Sequence, residues 1–163
     1  MTVSRSAALA GIAGVALASV AAALVSQHVF EMQPCPWCVL QRLVFVALGL
    51  VALLGLAWRS PTGQRGVPLL LLVLSACGIA AALWQHFVAA ASVSCNLTFA
   101  DRVMTATRLA ELLPSVFEAR ATCADAAVNL AGVPYEFWSL AVFTAIGLAC
   151  VALLVRKISA VRR

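Results

Sequence analysis

The residues best suited to chemistry are Cys35 and Cys38, in the run Cys35-Pro36-Trp37-Cys38. A Cys-x-x-Cys pair closes a very short loop, and chain entropy gives a bridge across so short a loop little stabilising power. The spacing suits redox exchange or metal binding instead. A zinc site would need two more Cys or His ligands in similar spacing, whereas Cys95 and Cys123 are single and far apart. Covalent haem attachment needs His directly after the second cysteine, where this chain has Val39. Redox exchange is the best-supported use of the motif, and no metal is expected.

The pair stands at the mouth of an apolar run that reads as a helix. The partial positive charge of a helix start favours thiolate over thiol. Arg42 follows Cys38 by four residues, one turn on and on the same face. A lone guanidinium at membrane depth marks function by default. It either snorkels outward or stabilises negative charge beside Cys38, on a thiolate or on a reduced quinone oxygen. Cys95 and Cys123 bracket a second stretch. A structural bridge there would contribute roughly 3–4 kcal/mol by chain entropy, while a catalytic one would be exposed and easily reduced. A second cysteine pair on the same side favours catalysis. Gln85 and His86 lie near the outer end of another apolar run, where polar groups usually face the bundle interior. His86 reads either as an interfacial residue or as a hydrogen-bond donor or proton relay to a quinone. Cys77 and Cys150 fall mid-span and read as small inert hydrophobes.

The elements that must position these groups follow from composition. Of 163 residues, 64% are hydrophobic and 10% charged, against about 45–50% and about 25% in soluble domains. A spanning helix needs about 20 mostly apolar residues. Four segments qualify, about 7–27, 39–58, 67–91 and 137–155. Lipid offers no partners to backbone groups, so the segments should be α-helices; the alternating runs of a β-barrel are absent. The expected fold is all-α: four transmembrane helices in an up-down bundle, as a single domain over 1–163.

The positive-inside rule orients it. Arg5, Arg59, Arg65, Arg156, Lys157, Arg162 and Arg163 fall on one side, and Arg42, Arg102, Arg108 and Arg120 on the other. Both termini (1–6 and 156–163) and the loop 59–66 are therefore expected in the cytoplasm, and the loops 28–38 and 92–136 outside. All six carboxylates fall on the outer side. Trp37 and Trp138 mark the outer boundary and Trp58 the inner, as an aromatic belt would. The net charge of +5 is thus a topology signal. No basic patch with interleaved aromatics points to nucleic acid. A cleavable signal peptide is a rival reading of the N-terminus, but the apolar run is longer than the usual 7–15 residues.

In the long outer loop, Leu109, Leu112, Leu113, Val116 and Phe117 repeat with helical spacing, opposite Arg108, Glu111 and Glu118. This predicts a short amphipathic helix, kinked or divided at Pro114. It either lies in the membrane interface against lipid or caps the bundle.

The run Cys35-Pro-Trp-Cys38-Val-Leu-Gln41-Arg42 resembles the signature of the DsbB family, Cys-x-x-Cys followed by Gln-Arg or a similar pair. Cys123-Ala-Asp, Leu130-Ala-Gly132-Val and Trp138 resemble that family's passage from the last loop cysteine into helix 4. The resemblance covers nearly the whole chain. It implies a quinone-dependent thiol oxidase of the bacterial inner membrane, with redox-active disulfides Cys35–Cys38 and Cys95–Cys123. It further implies that a DsbA-like protein of thioredoxin fold, in the periplasm, attacks Cys95. Cys123 then exchanges with Cys35, and Cys38 lies against a quinone (ubiquinone or menaquinone) beside Arg42. Gln41 and His86 are weaker candidates for the quinone site. Two rivals are a thiol oxidoreductase of the vitamin K epoxide reductase type, whose Cys-x-x-Cys lies late in its bundle, and a scaffold with two structural disulfides.

Overall fold

The computed structural model describes residues 4–58, 60–91 and 98–161. Four helices are long and apolar enough to cross a membrane, each with a mean hydropathy of 2.3 over its most apolar window. The chain is a four-helix membrane protein. Helix α1 spans Arg5–His28, capped by Ser4 Oγ, which accepts from Ala7 N at 3.2 Å. Helix α2 spans Pro36–Ala57, and α3 spans Pro61–Trp84, with Pro68 inside it and fully buried. After Trp84 the winding loosens into one π-helical turn, Gln85–Ala89. Such turns are rare and cluster at functional sites.

Helices α2 and α3 each begin earlier than their apolar runs, and each begins at a proline. Proline fits the first helical turn, where its missing N–H is not needed. Pro36 and Pro61 each open a helix. The polar stretch after Pro61 stays helical because hydrogen-bonding, not hydropathy, sets the helix limit.

Short helices fill the second loop, between the π-helical turn and the last long helix. The first, α4 (Phe99–Thr107), opens with a capping box in which Thr98 and Asp101 satisfy each other's backbone N–H groups. The stretch expected to be an amphipathic helix kinked or divided at Pro114 is divided there into two short pieces, α5 (Leu109–Leu112) and α6 (Pro114–Phe117). Arg108 takes a left-handed conformation, φ 54°, that separates α4 from α5, and Pro114 starts α6. Phe117 is buried with Val39 and Met104, so α6 caps the bundle, while Leu112 and Leu113 stay exposed. A two-residue turn, Ala131-Gly132, joins β1 (Asn129–Leu130) to β2 (Val133–Pro134). Both turn residues have positive φ, the conformation that matches hairpin twist. Helix α7 spans Tyr135–Val161.

Helix α1 packs on α2, α2 on α3, and α3 on α7, with a lighter α1–α7 seam closing the bundle. Membrane helices gain little from hydrophobicity against one another and associate through close packing. Gly78 lets α3 approach α7 so nearly that a Cβ there would lie 2.5 Å from the Phe143 ring. That ring stacks on Phe45 at 4.0 Å and 9°. A second apolar cluster, toward the outer end, gathers Cys35, Trp37, Leu40, Ala81 and Ala100, with Cys38 and Cys123 packed against it. Trp37 is therefore a buried residue and not part of an outer belt; it stacks near Trp84 and Phe99. Trp58 and Trp138 are exposed. Of the two mid-span cysteines, Cys150 is buried but Cys77 is exposed on the outward face of α3.

Candidate redox site and quinone cavity

Cys35 is the N-cap of α2. Its sulfur accepts from Cys38 N at 3.3 Å, and Pro36 fills the next position. The cap draws both sulfurs to one end of the helix, Sγ to Sγ at 2.9 Å. Cys123 arrives from the second loop, hydrogen-bonded to Cys35. Its approach is fixed two and three residues earlier, where Ala121 N and Arg120 N donate to the Pro34 carbonyl at 3.3 and 2.9 Å. Three sulfurs thus lie in series, Cys123 to Cys35 to Cys38. Cys95 lies outside the described residues.

The series is electrostatically graded outside the membrane. A hydrogen bond from Cys35, opposed by partial burial, holds the Cys123 thiol below its ordinary value. Hydrogen bonds to Cys123 and to Cys38, together with burial, push the Cys35 thiol far up. Cys35 is thus the proton holder and Cys123 the ready thiolate, which is the reactive form in exchange.

Cys38 faces a cavity of about 310 Å³ between α1, α2 and α7, roofed by the second loop. Much of its wall is apolar, including Val20, Ala23, Phe45 and Val142. The polar groups converge near Cys38. Gln41 Nε2 donates to Gln85 Oε1 at 2.7 Å, and Gln85 Nε2 donates to Cys38 Sγ at 3.3 Å. Arg42, 4% exposed, does not snorkel. Its Nη1 donates to Gln27 Oε1 at 2.9 Å and to the Val116 carbonyl, tying α1, α2 and α6 together. Its Nε is buried with no hydrogen-bond partner among the described residues. A buried unpaired donor is costly and points at a missing acceptor.

His86 does not line this cavity. Its Nδ1 lies 2.6 Å from Glu136 Oε1, and Glu136 does line it. Sequence reasoning missed Glu136 and Gln27 as site residues. Glu136 had counted only toward the outer charge, and Gln27 reads as the polar end of an apolar run. His28, the last residue of α1, pairs with the Ser115 carbonyl at 3.0 Å.

The family model "Disulfide bond formation protein DsbB" matches residues 4–153. The chain belongs to the DsbB family. Its relatives include "Disulfide bond formation protein B" of Herminiimonas arsenicoxydans, 34% identical over 82% of this chain and 87% of that protein. The protein of the same name from Ralstonia nicotianae is 33% identical over 90% of this chain and 91% of its own length. "Disulfide bond formation protein B 1" of Pseudomonas savastanoi is 31% identical over 88% and 85%. DsbB membership supports a disulfide-forming oxidoreductase held in a membrane by four helices.

Proposed function

We propose that this chain reoxidises a periplasmic, DsbA-like dithiol protein of thioredoxin fold and passes the electrons to a membrane quinone. In this reading the bilayer is the bacterial inner membrane, both termini are cytoplasmic, and the cysteine loops face the periplasm. The observation that carries it is the sulfur series Cys123–Cys35–Cys38, ending at a cavity beside Arg42. A thiol exchange path and a small-molecule pocket meet at one atom, Cys38 Sγ.

The cavity suits a quinone. Ligand pockets are mostly apolar with a few polar groups that fix orientation, and span about 300–1,000 Å³. A quinone is a flat ring with two carbonyl acceptors, and the unpaired Arg42 Nε supplies a buried donor. Arg42 and Gln41 would hold the ring's polar edge, with Cys38 against it. When bound, the quinone accepts two electrons and two protons and becomes its quinol.

The protein's own residues supply the rest. A thiolate of the partner attacks Cys95, forming a mixed disulfide and expelling Cys123. Cys123 leaves easily as a thiolate, since a leaving thiol departs faster when its pKa is low. It then attacks Cys35, and Cys38 is released as a thiolate stabilised by the Gln85 amide and the helix start. The partner's second thiolate closes its own disulfide and frees Cys95. Cys95 then attacks Cys123, breaking the Cys35–Cys123 bond, restoring Cys95–Cys123 and releasing Cys35. Cys35 and Cys38 close their own disulfide by giving up two electrons, for which a quinone beside Cys38 would be the acceptor.

The test is quinone reduction by the purified protein, given a reduced DsbA-like protein and soluble analogues of ubiquinone or menaquinone. Steady turnover is expected for the wild type and none for Cys38→Ser. Absence of turnover with both analogues, in a folded protein carrying both disulfides, would overturn the reading and leave the structural scaffold.

A further inference from the structure

Glu136 is the one buried carboxylate among the described residues, 4% exposed. It stands in the first turn of α7 and lines the same cavity as Cys38, Gln41, Arg42 and Gln85. His86, on the π-helical turn, holds it at 2.6 Å, with its own side chain 31% exposed. The imidazole sits between the rings of Phe87, edge-on at 4.8 Å, and Phe137 at 4.6 Å. The rings cover part of the imidazole, which stays 31% exposed near the end of its membrane-spanning helix. An acid facing the cavity is thus coupled to a half-buried base outside the cavity lining.

A salt bridge at this depth is an expensive way to join two helices, because desolvation offsets most of the attraction. Ionisable groups in such positions usually mark a pathway. The redox balance calls for one. Closing a disulfide on the partner releases two electrons and two protons, and reducing a quinone consumes two of each. The partner's protons are shed into outer water, and a sulfur reacting as a thiolate brings none into the cavity. Protons must therefore enter the cavity by another route.

Resting on the quinone reading above, we propose that Glu136 delivers protons into the cavity and that His86 replenishes them from the outer face. Glu136 Oε2, the oxygen not held by His86, gives up the proton. The imidazole takes one from water at Nε2 and passes one from Nδ1 to the carboxylate, and exchange of the remaining proton between its two nitrogens resets it for the next pass. Two passes supply both protons, matching the two lost by the partner. The other titratable or charged groups facing Glu136 are Cys38 and Arg42 from α2 and Tyr135 on α7. The α1 wall contributes only neutral residues, among them Ser19 and Ser26. The Glu136–His86 pair runs from the cavity to a side chain outside its lining that is 31% exposed.

The experiment uses the full chain in lipid nanodiscs, with Glu136→Gln and His86→Ala. Turnover with a ubiquinone analogue should fall about 10²-fold in both, the low end for a lost general acid or base. Added imidazole should restore His86→Ala several-fold and leave Glu136→Gln unchanged. A second readout needs no quinone: infrared difference spectra between the dithiol and disulfide forms. A carboxyl band that shifts in deuterated water should appear in the wild type and vanish in Glu136→Gln. Glu136→Gln turnover within about twofold of wild type, or failed imidazole rescue, or a band that survives Glu136→Gln, would each overturn the relay. Wild-type protein unable to reduce quinone would instead overturn the earlier reading.

Discussion

At Cys35 a single proton is contested by two sulfurs, and the outcome sets the direction of exchange. The Cys35 hydrogen bond depresses Cys123, so the Cys123 thiolate persists below the ordinary thiol value of 9.0. In reduced protein, alkylation of Cys123 should therefore continue as pH is lowered through that range, while Cys35, whose thiol is pushed up, stays unmodified. In Cys35→Ala the Cys123 profile should move upward in pH; peptide mass spectrometry of the alkylated sites checks both. Arg42 makes a second prediction. Lysine cannot span Gln27, the Val116 carbonyl and a cavity ligand with one rigid fork. Losing a charge-assisted hydrogen bond costs about 1.5–3 kcal/mol, so Arg42→Lys should raise the KM for quinone roughly 10- to 100-fold. Its KM for the dithiol partner should change far less, as steady-state kinetics would show. Cys35, Cys38 and Arg42 were legible in the sequence because they fall at the cap and within the first two turns of one helix, where spacing states geometry. Gln27 and Glu136 were not, since each reaches the site from another helix and nothing in their local sequence points there.

The elements were legible where lipid dictates them. Four apolar runs gave four helices because buried backbone in a bilayer has no other solution. Their ends were less legible, since hydropathy marks the hydrocarbon layer while caps such as Cys35 mark the helix. The second loop was read least well. The capping pair Thr98 and Asp101 was present but unused in the reading, and no pattern announces a left-handed arginine at 108. Helix contact also yields a prediction. A Cβ at Gly78 would lie 2.5 Å from a Phe143 ring already stacked on Phe45, so neither ring can simply turn aside. Overpacking of this kind costs about 1–3 kcal/mol. Gly78→Ala should lower the thermal midpoint in detergent, and Phe143→Leu, which clears the space, should recover part of the loss when combined with it.

For the molecule as a whole, composition established a membrane protein and the distribution of Lys and Arg gave an orientation. That orientation is testable in intact cells. A membrane-impermeant maleimide should label Cys123 in reduced cells whose other cysteines are replaced by serine. A lone cysteine placed at Ser60 should react only after the membrane is opened. Labelling of the Ser60 position from outside would reverse the topology and place the proposed partner on the wrong side. What composition could not convey is the cavity, because much of its wall is as apolar as the helix contacts around it. Phe45 and Val142 look alike in sequence whether they touch a neighbour or a ligand.

The bond between the two outer loops at the Pro34 carbonyl bears on rate as well as shape. Arg120 and Ala121 anchor the chain one residue ahead of Cys35 on one side and two and three ahead of Cys123 on the other. Two sulfurs tethered in this way meet at an effective concentration far above that of any free thiol, since the translational entropy is already lost. By holding Cys123 on Cys35, the tether keeps it from attacking the partner–Cys95 bond in reverse. Loosening that anchor, rather than altering any cysteine, should shorten the life of the mixed disulfide.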